Sequence, residues 1–369
     1  MKGSQAIETV VQENGQAAIS PRISNDAAWK KLVHSGGWLI GGVALYFFLV
    51  EHFDWSTFRS NMAQVSWSLL AAAVCAYILG LVVRAIRWTY MVRCHQSLAW
   101  AQGYHVTMIA NMANFFFPVR LGEILKLVII KKTCGVAYCS STAASIIEKI
   151  TLFLIIVVFL SLAPWAGYRF NDWSSRLFPF MLVLLVLSAI FLFMGPRGVD
   201  RVKYLIEKIL RTWCTDENRI QRFFASGLVK YAADTLRQCH ISSYATGTRF
   251  LWIAALGLII LGLDGLANYF LLAAFGLSLS YLQAVIAACF FNVLFLLPSP
   301  PVQVGTAEMY PVLIYAAGLK LAAPVVASSA LVWHMLTIML LAVFGYISLY
   351  AMGLRTGAVI RMTREKTDG

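Results

Sequence analysis

Long apolar runs separated by short polar stretches dominate this chain. Six runs are long enough, or nearly so, to cross about 30 Å of hydrocarbon as a helix. They cover residues 37–53, 67–90, 141–163, 177–195, 249–273 and 324–352. Two further apolar stretches, 101–132 and 281–318, are interrupted by proline, glycine and charge. Each half of these is about 12–18 residues, short of a full crossing. They read as pairs of half-helices meeting at a non-helical tip, as a broken helix or re-entrant hairpin. The expectation is an all-α polytopic membrane protein of about six full spans plus two hairpins.

Composition agrees with that pattern. The apolar-plus-aromatic set makes up 60% of the 369 residues and charged residues 13%. Soluble domains hold about 45–50% and about 25% respectively, so polar surface is too scarce for an ordinary soluble enzyme. The net charge of +13 looks at first like a nucleic-acid signature. However, the 30 Lys and Arg sit in short clusters between apolar runs and make no continuous basic face, so no nucleic-acid partner is expected. They fit the excess of Lys and Arg on the cytoplasmic side of spans. With Lys30 and Lys31 inside, Arg84, Arg87, Arg93, Lys131, Lys132, residues 196–248 and the basic tail all fall inside. Only Arg59, Arg169, Arg176 and Lys320 remain outside. The chain therefore reads as N-in and C-in, in a bacterial-type cytoplasmic (inner) membrane.

The resulting organisation is a cytoplasmic segment 1–36, a first membrane half 37–195, a connector 196–248, a second membrane half 249–354 and a tail 355–369. No cleavable signal peptide is visible. In the connector, Val199, Val202, Ile206, Ile209 and Trp213 recur at helical spacing beside Arg201, Lys208 and Arg211. It reads as a helical element on the inner leaflet, held by anionic lipids, with a partner-binding platform as the alternative. The seven cysteines have no metal-ligand spacing and read as reduced thiols.

The two interrupted stretches resemble each other. Asn114, Pro118, Arg120, Gly122 and Glu123 in the first are matched by Asn292, Pro298, Gln303, Gly305 and Glu308 in the second. Each follows a span carrying Ile-Leu-Gly-Leu, at 78–81 and 260–263, and the glycine-to-proline distance is 38 residues in one and 36 in the other. About 25 residues after each glutamate stands a further polar group, Glu148 or His334. Given the charge-derived orientation, the copies are inverted in the membrane. Inverted repeats with broken helices place a ligand site near the midplane between them.

An acid in an apolar segment is costly unless paired, protonated or facing water, so Glu123, Glu308, Glu148 and Asp264 are candidates for coupling or gating. Glu123 and Glu308 also suit the positive end of a half-helix. Asp264 and Glu148 have Lys149 and Lys126 as available salt-bridge partners, and His334 is a further candidate that titrates or hydrogen-bonds a neighbouring helix. Arg120 beside a half-helix N-terminus makes an anion site with a single cation, or else pairs with Glu123 or Glu148. Asn111, Asn114, Asn292 and Gln303 are candidate substrate contacts, with interhelical hydrogen bonding as the plainer role. Pro118, Gly122, Pro298 and Gly305 read as helix breakers. No motif demands a cofactor or a metal, and no nucleophile–base set suggests an enzyme.

Asn-x-x-x-Pro-x-Arg-x-Gly-Glu at 114–123, Glu148-Lys149, and Pro298 followed by Gly305 and Glu308 resemble the lysylphosphatidylglycerol-synthase transmembrane family of flippase-like proteins. The resemblance covers about residues 67–350. The family's Pro-Gly-Gly is replaced here by Ser299-Pro300-Pro301, and aminoacyl-lipid synthesis, the work of the soluble domain of the full-length synthases, is not expected of these residues. The resemblance implies movement of an anionic lipid, or a polyprenyl-phosphate-linked glycolipid, between leaflets, with protons as a possible coupling ion. The alternative is a non-transporting scaffold that recruits a lipid-modifying enzyme or glycosyltransferase. Oligomeric state is not legible in the residues.

Overall fold

The computed structural model describes residues 55–117, 121–168, 234–235, 238–239, 247–295 and 300–354, and every element among them is helical. The spans expected at 37–53 and 177–195, both termini, most of the connector, and Pro118, Arg120 and Pro298 lie outside the described residues.

Four helices are long and apolar enough to cross a membrane, and they coincide with the four remaining expected spans. They are α2 (Trp67–Arg93), α5 (Tyr138–Ser161), α6 (Gly247–Ala274) and α9 (Ala323–Ala351). At 24 to 29 residues each is about 36–43 Å long, more than the hydrocarbon requires. Hydroxyls within them bond back to carbonyls of the preceding turn, as with Thr89 to Ala85 and Thr151 to Ile147. That satisfies their polar groups without water. The chain is thus a multi-pass membrane protein.

Between these run shorter helices. α3 (Trp100–Phe116) and α4 (Leu121–Cys134) flank the first break, and α7 (Tyr281–Leu294) and the six-residue α8 (Thr306–Pro311) flank the second. α7 starts on a reciprocal cap, in which Gln283 N–H donates to Ser280 Oγ and Ser280 N–H to Gln283 Oε1. α8 continues into a widened π turn over Val312–Ala317. α1 (Trp55–Gln64) was not anticipated, because its sequence carries no apolar run; it touches α9 through Asn61 and Ser328.

Each half therefore runs long helix, short helix, break, short helix, long helix. The leading long helices, α2 and α6, lie side by side and antiparallel. Ser66 N–H, at the head of α2, bonds Ala274 O at the foot of α6; Gly80 abuts Asp264, and Gly257 abuts Arg87. α3 pairs in the same sense with α9, where His105 meets Ser348 and Met112 presses on Gly345. Small residues permit these close approaches. A Cβ on Gly103 would fall 1.9 Å from Thr89 Oγ1, and one on Gly122 would fall 2.0 Å from Ala110 O.

Apolar packing gathers on either side of the bundle's middle. Trp88, Ile129, Ile147 and Ile253 belong to one core, and Leu272, Ile286, Ile314 and Val326 to another. Chain direction puts exposed Trp55, Trp67 and Trp165 at one end of the bundle and exposed Trp100, Trp252 and Tyr350 at the opposite end. These are two aromatic belts of the kind that mark membrane interfaces.

Candidate functional site

A cavity of about 350 Å³ lies between the halves, bordered by both breaks. That volume is at the lower end for small-molecule sites. Asn111, Asn114, Glu123, Glu148, Asp264, Asn292, Gln303 and His334 all line it. Eight candidates chosen from the sequence thus converge on one space. Glu308 stands behind that wall against His334 and Gly305, and Gly122 packs against Asn114, while Arg120, Pro118 and Pro298 lie outside the described residues.

Its charges form two sets. In the first, Arg84 of α2 meets Asp264 of α6 at 2.5 Å, across the antiparallel helix pair. In the second, Lys149 meets Glu123 at 2.9 Å, Glu123 meets Lys126 at 3.5 Å, and Lys126 meets Glu148 at 3.4 Å. Lys126 is only 4% exposed and also sits 4.6 Å over the Trp88 ring. Ion pairing plus the ring face offset the cost of burying that ammonium. Lys149, by contrast, is half-exposed.

Three sequence-based expectations change here. Asp264 pairs with Arg84, not with Lys149 or Lys126, because the antiparallel α2–α6 contact brings those two positions together. Arg84 and Arg87 are not charges marking an inner loop. Both lie within α2; Arg84 lines the cavity and Arg87 is 1% exposed, with its Nη2 donating to Glu148 O. The site does not have a single cation either, since Arg84, Lys126 and Lys149 all line it. A cation more than two turns inside an apolar helix is the signal that would have found Arg84.

Glu123 stands in the first turn of α4 and Glu308 in the first turn of α8, but they are used differently. Glu308 Oε2 accepts from Gly305 N–H at 2.8 Å, and Oε1 lies 2.5 Å from His334 Nδ1. His334 Nε2 is 2.8 Å from Val302 O. The segment so held is strained: Val302 and Gln303 take φ of 58° and 56°, and Gly305 takes 83°. For the two non-glycines, left-handed backbone costs about 1–3 kcal/mol each and persists only when the surroundings over-determine it. A β-branched valine there is a genuine outlier.

Several buried polar atoms on the wall lack a hydrogen-bond partner among the described residues. Among them are Asn111 Nδ2, Asn114 Oδ1 and Tyr315 OH. Asn292 instead donates within its own helix, to Ala288 O. Tyr315 was not anticipated from sequence; it reaches the cavity because the π turn after Pro311 rotates it inward. Buried donors and acceptors left unpaired are normally satisfied by water or ligand. The wall also carries Phe115, Phe291, Phe295 and Trp333, so the space is amphipathic.

Outside the spans, the turn after α2 contacts the connector. Burial holds the His95 imidazole below its ordinary value, reinforced by the charge of Arg249 and opposed by a hydrogen bond with Gln238. Cys239 of the same connector donates to Ala143 O on α5.

Among curated proteins and among solved structures, no match to this chain was found. The sequence pattern of one family does match, that of the lysylphosphatidylglycerol synthase TM region, over residues 35–345. That stretch takes in both breaks, all four long helices but for the end of α9, and the whole cavity wall. By that match the chain belongs to the lysylphosphatidylglycerol synthase transmembrane-region family.

Proposed function

We propose that this protein moves a lipid with an anionic head group between leaflets, as a transporter and not as an enzyme, in a cytoplasmic membrane with both termini inside. The observation that carries this reading is the amphipathic cavity bordered by both breaks, with paired charges and unpartnered amide and hydroxyl atoms on its wall. Its size suits a head group and not acyl chains, which would stay in the bilayer. Lys149 and Lys126 share Glu123, so a phosphate reaches both cations by replacing one carboxylate. Arg120, which precedes Leu121 in the sequence, is the further cation to test there, on the sequence pattern alone. Asn111 and Asn114 supply hydrogen bonds to neighbouring head-group oxygens.

Antiparallel α2 and α6, each leading into a broken pair of short helices, favour an inverted duplication around this site. In such an arrangement the cavity opens alternately to the two faces as the halves rock.

The test is leaflet exchange in liposomes, followed by quenching of fluorescent phosphatidylglycerol, phosphatidylethanolamine and polyprenyl-phosphate analogues. Wild type is expected to exchange an anionic probe, and Arg120→Ala combined with Lys149→Ala to slow it at least about tenfold, the scale of one or more lost charge-assisted contacts. Equal rates in wild type and variant, or no exchange of any of the three probes, would reject the reading.

A further inference from the structure

Each carboxylate on the cavity wall faces a lysine or an arginine. Asp264 meets Arg84, Glu123 meets Lys149 and Lys126, and Glu148 meets Lys126. Glu308 behind the wall differs. Its described partners are a backbone N–H and the imidazole of His334, a group whose charge changes near neutrality.

Proton counting fixes what this contact can hold. The Val302 carbonyl only accepts, so His334 Nε2 must carry a hydrogen and donate it. Glu308 Oε2 already accepts from Gly305 N–H. The 2.5 Å gap between Nδ1 and Oε1 therefore encloses one more proton, whichever atom owns it. The elements around the pair bring other ionisable groups to the cavity: Tyr77 and Arg84 from α2, Asp264 from α6, and Tyr315 from the π turn. Glu123 and Lys126 come from α4, and Glu148 and Lys149 from α5, each ion-paired as above. From α3, it is the uncharged Phe115 ring that covers the imidazole edge-on, at 5.7 Å between centroids.

We infer that Glu308 and His334 form a one-proton latch on the strained segment 300–305. With the proton shared, the imidazole holds the Val302 carbonyl, and the carboxylate holds Gly305 N–H. When the proton leaves to water in the cavity, two lone pairs face each other across the gap and the contact breaks. The left-handed residues Val302 and Gln303 then relax, and the segment 300–305 moves at the cavity wall. Reprotonation restores the contact. The inference rests on the transport reading only for what the release accomplishes, which is to open the second half in step with proton loss.

Backbone hydrogen exchange on the full-length protein in lipid nanodiscs tests it, with rates corrected for intrinsic pH dependence. In wild type, protection of amides 303–309 is expected to fall at least about tenfold between about pH 6 and about pH 9, while α5 stays unchanged. Glu308→Gln donates to Nδ1 from a permanent N–H, so its protection stays high at both pH values. His334→Ala is expected to lack protection at both. Should that variant not fold, wild type and Glu308→Gln decide alone. Flat wild-type protection, or a Glu308→Gln protein that keeps the wild-type fall, would overturn the latch. A pH-dependent release in a protein that exchanges no lipid would reject transport and keep the latch; lipid exchange with flat protection would do the reverse.

Discussion

At the first break, Glu123 reaches across to Lys149 of α5 and along its own helix to Lys126; at the second, Glu308 turns back to cap the helix it begins. The residue order leading to the two acids is shared, yet the surroundings are not. The first break has short arms pressed together at Gly122 and is anchored by ion pairs. The second stretches over 295–305, carries no cation among its described residues, and is held by bonds to backbone. Two similar stretches of sequence thus frame the cavity with one charged wall and one wall held by backbone bonds. The charged wall suits binding an anion; the backbone-held wall suits moving.

Substitutions can pull the two walls apart experimentally. The largest effect is expected from Glu308→Ala, which strands Gly305 N–H and the imidazole in a nearly solvent-free pocket. Breaking one partner of such a buried pair costs about 3–5 kcal/mol, visible as a lowered midpoint in thermal unfolding in detergent. Next comes the bridge between the halves. Arg84→Ala and Asp264→Ala should each destabilise, but the double variant by less than their sum. A coupling of about 1–3 kcal/mol in that cycle would mark the contact as energetic. Coupling near zero would make it a proximity without energetic consequence. The smallest stability effect belongs to Lys149→Ala, about 0.5 kcal/mol or less, because the group is half-exposed. Its loss should appear in leaflet exchange and hardly at all in unfolding, which would separate the binding wall from the scaffold.

The described spans were legible because runs of apolar residues that long have few alternatives, and the breaks because proline and glycine interrupt them. The convergence of Asn111, Asn114, Glu123 and Asp264 was legible as well, since polar groups in apolar helices must find one another. What stayed hidden depends on how helices dock. Nothing local tells that Arg84 lies opposite Asp264, because that follows from the antiparallel register of α2 on α6. Lys and Arg near span ends read as topological charge, and Arg87 was absorbed into that reading although it is buried. Ser299-Pro300-Pro301 announces a turn but not the positive φ of the Val302 and Gln303 that follow. The inward swing of Tyr315 comes from an extra residue in a helical turn, which no periodicity reveals.

The two aromatic belts have a consequence for where the protein can work. On α6, Trp252 and Ala274 at the far end are separated by about 33 Å of helix, close to the thickness of a hydrocarbon core. Asp264 falls near the halfway mark. A bilayer of matching thickness therefore registers the Arg84–Asp264 bridge at its centre, and a thicker or thinner one must be met by tilt, at a cost of fractions of a kcal/mol per Å. α2 and α6 run antiparallel, share that bridge, and each leads into one of the two breaks. Hydrocarbon thickness is thus a second variable, besides the proposed head group, that bears on the helix pair bordering the cavity.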